Sequence, residues 1–314
     1  MSLIAPTLLG GVLLDALLGE PRRWHPLVGF GRLAGLLETR LNRPGASARQ
    51  RRWRGALAWS VLVLPLPCCL WWGLQLLGNG AAVALNMLLL YLCLGGRSLA
   101  RHARAVSGPL LAGDIAAARA AVAMMVSRDT ADMDAPAATR AVLESVLENG
   151  SDAVIASLFW FAVAGAPGAV LHRLANTLDA CWGYRNTRFL QFGAWAARAD
   201  DVLNYLPARC CALAYALAGA ARSALGCWRR QARRLSSPNG GPVMTAGAGA
   251  LQIWLGGPAR YGGQWQRRPV FGCGREARPG DIPRALTLLW RAVAILLGVA
   301  AALELLWRWG SHGL

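Results

Sequence analysis

Long uncharged segments dominate the pattern of hydrophobic and polar positions in this chain. From Gly55 to Gly96, a stretch of 42 residues, there is no Asp, Glu, Lys, Arg or His. This length suffices for about two membrane crossings at ~20 residues each. We therefore predict paired transmembrane helices over 55–96, joined by a tight turn at Gly78-Asn79-Gly80. A soluble protein with a large core is the less favoured alternative, because core helices rarely stay uncharged over such lengths.

Further apolar segments predict additional membrane-embedded helices. The first of these segments, 3–19, lacks a basic leader region and a small-residue cleavage site. We therefore predict that it is a retained membrane helix rather than a signal peptide. The fold class that follows is all-α, a polytopic integral membrane protein with about four to six membrane-embedded helices and a polar helical and loop region. The additional apolar segments are 3–19, 153–171, 285–307 and, more weakly, 202–221.

The polar segments between the apolar runs differ in charge and periodicity. Asp114 precedes an Ala/Arg-rich helical pattern, and Asp134 with Pro136 begins a longer one, as residues that cap or start helices do.

We treat 1–314 as one membrane-embedded domain. Its parts are the paired helices at 55–96, an acidic motif region at 97–209, a basic Gly/Pro-rich loop region at 222–284 and a C-terminal helix at 285–307.

The charge of the chain is strongly positive, at +17, and all 33 basic residues are arginine. The arginines cluster beside apolar segments, which indicates a lipid bilayer as partner and follows the positive-inside rule. We therefore expect no nucleic-acid binding. The absence of lysine excludes a Schiff-base lysine and a Walker A motif. The eight cysteines form no C-x-x-C pattern, and with only four histidines we predict no zinc site.

The acids are concentrated in a small part of the chain. Nine of the 16 lie within 129–201, and segment 129–152 holds six acids and one arginine, a local charge of −5. On a helix, Glu144, Glu148 and Asp152 share one side, because residues four apart are neighbours. Like charges on one side repel, so arginines, solvent or a cation must offset them. Carboxylate oxygens are the ligands that Mg²⁺ prefers.

An isolated pattern of this kind is usually a solvated helix face that pairs with nearby arginines. Here other polar groups accompany the acids close to predicted membrane boundaries. They lie in "RDT" at 128–130, "ANTLDACWGYRN" at 175–186 and "DDVLNYLPAR" at 200–209. Ionisable groups in such places are costly and indicate a functional site.

These stretches closely resemble those of the adenosylcobinamide-phosphate synthase family, membrane enzymes of cobalamin biosynthesis. The resemblance covers nearly the whole chain and rests on several long motifs in the same order. They are "LLDALLGEPRRWHP" at the start, "GR" at 31–32, "SRDT" at 127–130, "ESVLENGSDAVIASLFWF" at 144–161, "NTLDACWGYRN" at 176–186, "DDVLNYLPAR" at 200–209, "SPNGG" at 237–241 and "LGGPARYGG" at 255–263.

One stretch departs from the family pattern. The family usually carries Pro-Glu shortly after a Ser-Pro-Asn-Ala-Gly stretch. This chain reads "PVMTAG" there, which places Met244 at the position of the acid, and its glycine is doubled at Gly240-Gly241. This chain therefore lacks the glutamate that the family usually carries at this position.

The resemblance implies an amide-forming ligase. Its substrates would be the corrinoid adenosylcobyric acid, which supplies a carboxylate, and (R)-1-amino-2-propanol O-phosphate or a similar amino-alcohol phosphate, which supplies the amine. The reaction would use ATP and Mg²⁺, with the corrinoid as substrate rather than cofactor. It requires activation of a carboxylate, neutralisation of phosphate charge, and a base for the amine proton.

Roles for individual residues follow from this resemblance as hypotheses. Glu148 and Asp152 would hold Mg²⁺, with Glu144 or Asp129 in support. Arg128 and Arg185 would bind phosphate, because a guanidinium fork suits oxyanions. Asp179, Asp200 or Asp201 would act as the base. The remaining ligand-orienting or corrin-contacting candidates are Asn149, Asn176, Tyr184, Asn186 and Asn204.

Two other functions remain as alternatives. A transporter would use intramembrane acids as an ion path and would spread them over several spans. A non-catalytic corrinoid-binding membrane subunit is the second. For the enzyme we expect the bacterial inner membrane as location, and either a homo-oligomer or contacts with other cobalamin-assembly enzymes as partners.

The sequence Gly165-Ala166-Pro167-Gly168 interrupts the apolar segment 153–171 and predicts a kink or a re-entrant hairpin. If 153–171 and 202–221 both cross the membrane, segments 129–152 and 172–201 lie on opposite sides. The arginine distribution favours that arrangement. A re-entrant hairpin would place both segments on one side, as a single active site requires, and we prefer a shared cytoplasmic-side site.

Overall fold

The computed structural model describes residues 3–21 and 25–312, so Arg22, Arg23 and Trp24 of the first motif lie outside the described residues. The chain is mainly helical. In chain order the helices are α1 (Ile4–Leu18), α2 (Pro26–Leu41), α3 (Ala48–Val63), α4 (Pro65–Gln75), α5 (Asn79–Cys93), α6 (Gly96–Leu111), α7 (Ile115–Val122), α8 (Ala135–Gly150), α9 (Ala156–Trp182), α10 (Ala194–Leu203), α11 (Tyr205–Ala218), α12 (Ala221–Gln231), α13 (Gly240–Leu251) and α14 (Asp281–His312). A π-helical turn (Ser151–Ile155) follows α8, and a 3-10 turn (Ala232–Arg234) follows α12.

Within the described residues, four helical stretches are long and apolar enough to cross a membrane. The shorter helix α1 is also apolar. The prediction of an all-α polytopic membrane protein with about four to six embedded helices is therefore confirmed. The four stretches are Ala48–Gln75, Asn79–Ala112, Ala135–Trp182 and Asp281–Ser311.

The paired helices predicted over 55–96 are present as α3 with α4, followed by α5. Gly78 adopts an extended conformation and is the residue immediately before α5. The break between the helices therefore lies at 76–78, and Asn79 and Gly80 of the predicted turn begin the helix instead. Pro65 begins α4 directly after Leu64, where the missing N–H of proline costs no intrahelical hydrogen bond. The predicted caps also form, since Asp114 accepts from Ala117 N–H and Asp134 accepts from Ala137 N–H.

Local capping starts both α2 and α3. His25 Nδ1 accepts the Leu27 N–H, and Pro26 at the first position starts α2. Ser47 and Gln50 form a reciprocal capping box that starts α3.

The Gly/Pro-rich region 222–284 contains α12, α13 and five short strands that the sequence did not predict. Strands β1 (Ile253–Gly256), β4 (Val270–Gly272) and β5 (Arg275–Glu276) form one sheet in the order β4-β1-β5, antiparallel and then parallel. Strands β2 (Ala259–Tyr261) and β3 (Gln264–Gln266) form an antiparallel hairpin. Gly262 and Gly263 at its tip both have positive φ, at 54° and 81°, which two-residue hairpin turns favour.

Helix α9 is interrupted at the predicted place. Ala164 and Gly165 leave helical geometry, and Gly165 has a φ of 62° that only glycine adopts readily. Asn86 Oδ1 accepts the Ala166 N–H at 3.0 Å and so satisfies a backbone donor that the break frees. The structure thus contains a kink at this point of the apolar segment.

The chain divides into two compact units. The first comprises 1–95, 156–204 and 300–314, and the second comprises 96–155 and 205–299. The acidic segment 129–152 therefore belongs to the second unit, and Asp179, Asp200 and Asp201 belong to the first.

Candidate functional site

A polar cavity of about 540 Å³ lies in the second unit. Its walls come from the C-terminal half of α8, from segments 125–128 and 234–237, from α13 and from segment 261–271. Four arginines and two glutamates line it, and we call it the arginine cavity. These charged residues are Arg128, Glu144, Glu148, Arg234, Arg267 and Arg268.

Glu144 organises one side of the arginine cavity. Its side chain is 2% exposed, and its Oε2 accepts hydrogen bonds from Arg128 Nη2 at 2.6 Å and Arg268 Nη2 at 2.8 Å. Its Oε1 accepts the Gly256 N–H at 2.9 Å. Both oxygens of this carboxylate are therefore bound by protein donors, which is how a buried charge is tolerated.

Glu148 lies one turn further along α8 and differs from Glu144 in its partners. Among the described residues, no side chain or backbone N–H makes a hydrogen bond or ion pair with its carboxylate. Its Oε1 lies against the first residue of α13, so that a Cβ at Gly240 would approach it to 2.6 Å. The N-terminal end of a helix carries partial positive charge, which favours a carboxylate at this place.

Asp129 and Asp152 do not line the arginine cavity. Asp129 accepts the Gly262 and Gly263 N–H groups of the β2–β3 hairpin. Asp152 lies in the π-helical turn Ser151–Ile155 that follows α8. Of the three acids expected to share one side, Glu144 and Glu148 line the cavity and Asp152 does not.

The contacts of these acids bear on the expected Mg²⁺ site. Among the described residues, no group of three or more His, Cys, Asp or Glu side chains is arranged to hold a metal ion. Glu144 is neutralised by two arginines, and Asp129 is bonded to backbone amides. The contacts do not fit one ion held by Asp129, Glu144, Glu148 and Asp152 together. Glu148 alone has the open carboxylate that a phosphate-bound Mg²⁺ could use.

A second polar cluster lies in the first unit, around Asp200. Asp200 is buried, and its Oδ1 accepts from Asn176 Nδ2 at 3.2 Å and from Asn204 Nδ2 at 2.9 Å. Asn204 Oδ1 lies 3.0 Å from His172 Nε2. Burial, followed by the nearby Asp179 carboxylate, raises the pKa of Asp200 to about 7, against the opposing effect of the two amides.

The other predicted residues of the first unit lie in or next to this cluster or in an exposed loop. Burial raises the pKa of Asp201, and Arg185 opposes that rise. Tyr184, Arg185 and Asn186 follow α9 and are exposed. Asn186 caps the next turn through its Oδ1, which accepts the Phe189 N–H at 2.9 Å.

The structure brings together four of the predicted residues in the arginine cavity, namely Arg128, Glu144, Glu148 and Asn149. Sequence reasoning missed Arg234, Arg267 and Arg268, which also line it. The sequence signal that could have revealed two of them is the position of adjacent arginines at 267–268, which closely follow the "LGGPARYGG" motif. Met244, at the position where the family pattern departs, is buried and lines the same cavity.

Comparisons with a family model and with known proteins agree on one protein family. The family model described as CobD/Cbib protein matches residues 8–289. A protein of Stutzerimonas stutzeri named Cobalamin biosynthesis protein CobD is 55% identical over 291 residues, covering 93% of this chain and 95% of that protein. Proteins of the same name from Chromobacterium violaceum and Mycobacterium tuberculosis are 53% identical (93% and 97% covered) and 42% identical (88% and 88% covered). No solved structure matches the chain.

The two glutamates of α8 are expected to differ in how much stability the protein loses when each is neutralised. Glu144→Gln leaves Arg128 and Arg268 without their buried partner, so the variant should lose about 3 kcal/mol of stability. Glu148→Gln removes a carboxylate with no bonded partner and should change stability by less than about 1 kcal/mol. Thermal unfolding of both purified variants in detergent measures the contrast. Equal losses would contradict the assignment of partners.

The raised pKa of Asp200 predicts a pH effect. Its folded-state pKa of about 7 exceeds the ordinary 3.8, so the folded state holds an extra proton between those values. Stability should therefore fall as pH rises from about 4 to about 7, because the buried carboxylate must then ionise. Thermal unfolding at pH 5 and pH 8 should show a smaller difference for Asp200→Asn than for the wild type. An unchanged difference would be inconsistent with the raised value.

Proposed function

The chain belongs to the CobD/CbiB protein family, and we propose that it acts in cobalamin biosynthesis as an ATP-dependent amide ligase. It would join a carboxylate of adenosylcobyric acid to the amine of (R)-1-amino-2-propanol O-phosphate, or of a similar amino-alcohol phosphate. The product would be adenosylcobinamide phosphate. The curated relatives named above carry the role in cobalamin biosynthesis in their names, and the ligation chemistry rests on the site.

The arginine cavity is the observation that carries this proposal. Both substrates that bear phosphate, ATP and the amino-alcohol phosphate, need a cationic and water-accessible pocket of small-molecule size. A cavity of about 540 Å³ with four arginines and two glutamates meets that need. Arginine suits it better than any other cation, because its planar fork donates two parallel hydrogen bonds to a phosphate.

The hydrogen bonds within the cavity support a phosphate ligand further. Arg268 Nη1 is buried and has no hydrogen-bond partner within the part of the chain that the structure describes, whereas its Nη2 is bonded to Glu144. An unpaired buried donor is costly, and a phosphate oxygen in the cavity would satisfy it. Glu144 thus orients Arg268 and Arg128 without consuming all of their donors. Arg234 and Arg267 are exposed and free to meet the rest of the ligand's charge.

The chemistry proposed for this site is two successive transfers. The substrate carboxylate attacks the terminal phosphorus of ATP, forming an acyl phosphate while the bond to ADP breaks. The amine nitrogen then attacks the acyl carbon, inorganic phosphate leaves, and the nitrogen loses a proton. The arginines stabilise the negative charge on the phosphoryl oxygens. Mg²⁺ brought by ATP would neutralise further phosphate charge, and Glu148 is the residue that would hold it.

The proton of the amine needs an acceptor, and Asp179, Asp200 and Asp201 are the proposed candidates. Asp200 is the best matched of them, because a base with a pKa near 7 accepts and releases protons efficiently at neutral pH. Asn176 and Asn204 hold its carboxylate in place by their amide groups. His172 and Asn204 extend the same network.

The long apolar helices bear on where the protein is located and on what it contacts. The chain is a multi-pass membrane protein, and we propose the bacterial inner membrane as its location. The lipid bilayer is then its first partner. A homo-oligomer or association with other enzymes of cobalamin assembly is also proposed, since the corrinoid substrate must be delivered and passed on.

The decisive test is direct assay of the purified protein. Adenosylcobyric acid, (R)-1-amino-2-propanol O-phosphate, ATP and Mg²⁺ should yield the amide, ADP and phosphate, detected by mass spectrometry. Glu148→Gln should reduce the rate at least about 100-fold, because the open carboxylate of the cavity is lost. Glu276→Gln is the matched control, since Glu276 is exposed on β5 outside the cavity.

The possible outcomes separate the competing functions. Formation of the amide that depends on Glu148 and not on Glu276 supports the ligase. Tight binding of the corrinoid without amide formation would indicate a non-catalytic binding subunit. Corrinoid or ion flux in vesicles without chemistry would indicate a transporter.

A further inference from the structure

The β2–β3 hairpin forms a wall between two cavities of the second unit. Tyr261 and Gln266 line the arginine cavity, while Ala259, Arg260 and Trp265 line a second cavity of about 260 Å³. Arg128 lines both cavities. Any movement of this hairpin would therefore change the size of the arginine cavity.

The base of the hairpin is fixed by Glu144. Its Oε1 accepts the Gly256 N–H just before β2, and its Oε2 accepts from Arg268 just after β3. The segments that enter and leave the hairpin are thereby both bonded to one carboxylate. This carboxylate is only 2% exposed, so water competes little for these bonds.

The tip of the hairpin is held by a different acid, Asp129. Its Oδ1 accepts the Gly262 N–H at 3.2 Å and its Oδ2 accepts the Gly263 N–H at 2.7 Å. The Asp129 backbone N–H donates to Arg260 O at 2.9 Å. Arg260 also pairs with Asp132 on the same segment.

The two attachments differ in strength. Asp129 is 35% exposed, whereas Glu144 is almost fully buried. All three residues of β3 are exposed, and a Cβ added at Gly262 or Gly263 would meet nothing within 4 Å. Exposed bonds of this kind open far more readily than buried ones. The tip should therefore open while the base stays bonded.

We propose that the hairpin is a lid on the arginine cavity and that Asp129 is a positioning residue that latches its tip. Release of the Gly262 and Gly263 amides lets Tyr261 and Gln266 swing away from the cavity, and closure returns them over a bound phosphate-bearing ligand. The identity of that ligand rests on the proposed function, whereas the latch does not. This assigns the acid of "SRDT" to the lid, and no metal is needed to explain its position.

Hydrogen exchange measured by mass spectrometry tests the latch without any assay of activity. In Asp129→Ala, peptides spanning 258–266 should exchange about tenfold faster or more, because two bonds to a carboxylate are lost. Peptides spanning 270–276 in the neighbouring sheet should be unchanged. Asp132→Asn is the matched control, since it loses only the pair with Arg260 and should leave the tip amides protected. Equal exchange in Asp129→Ala and wild type would overturn the latch.

Two further arms test the lid. Inorganic tripolyphosphate added to the wild type should slow exchange of 258–266, and no effect at saturating concentration would overturn closure over phosphate. In the ligase assay, Asp129→Ala should raise KM for a phosphate-bearing substrate several-fold more than it lowers kcat. A wild type that makes no amide while the exchange results hold would reject the proposed function and leave the latch intact.

Discussion

The second unit is organised around one buried carboxylate, that of Glu144. It binds two arginines and one backbone amide, and it thereby joins α8, the segment around Arg128 and both ends of the hairpin segment 256–268. Removing one partner from such a buried charge group typically costs about 3–5 kcal/mol, because the remaining charges are left without compensation. The shape of the arginine cavity therefore depends on this group of charges.

The arrangement also explains why two glutamates one helical turn apart have different roles. Glu144 accepts hydrogen bonds from Arg128, Arg268 and the Gly256 N–H. Glu148 instead has the N-terminal end of α13 as its favourable neighbour. Glycine at position 240 makes this approach possible, because any larger residue would occupy the space of the carboxylate. Glycine at 247 likewise lets α13 pack closely against Leu147 of α8. The small residues of α13 thus place an open carboxylate beside a set of arginines.

Much of the fold could be predicted from the sequence because its strongest signals are local. Uncharged runs predicted the membrane helices, Asp114 and Asp134 predicted caps, and the Gly-Pro sequence in 153–171 predicted an interruption. The hairpin could not be predicted, because β2 and β3 have three residues each, too short for an alternating pattern. The four-residue spacing of Glu144 and Glu148 correctly indicated a shared side. Asp152, the third acid of that pattern, lies in the π-helical turn that follows α8 and does not line the cavity.

The site itself was only partly predictable, for a different physical reason. Glu144 was expected to need arginines, solvent or a cation to offset its charge, and its partner Arg268 lies 124 positions away in the chain. No local spacing reveals such a contact, which depends on the packing of α8 against the strand region. The polar cluster around Asp200 was easier to anticipate, since Asp200 and Asn204 are four residues apart on adjoining helical turns.

Binding of a substrate phosphate in the arginine cavity is the feature on which the proposed chemistry depends most. The most direct measurement is an experimental structure of the purified protein with (R)-1-amino-2-propanol O-phosphate and a non-hydrolysable ATP analogue. We expect phosphate density within hydrogen-bonding distance of Arg268 Nη1, with Arg267 or Arg234 also in contact. Phosphate groups bound only outside this cavity, with the cavity filled by solvent, would contradict it.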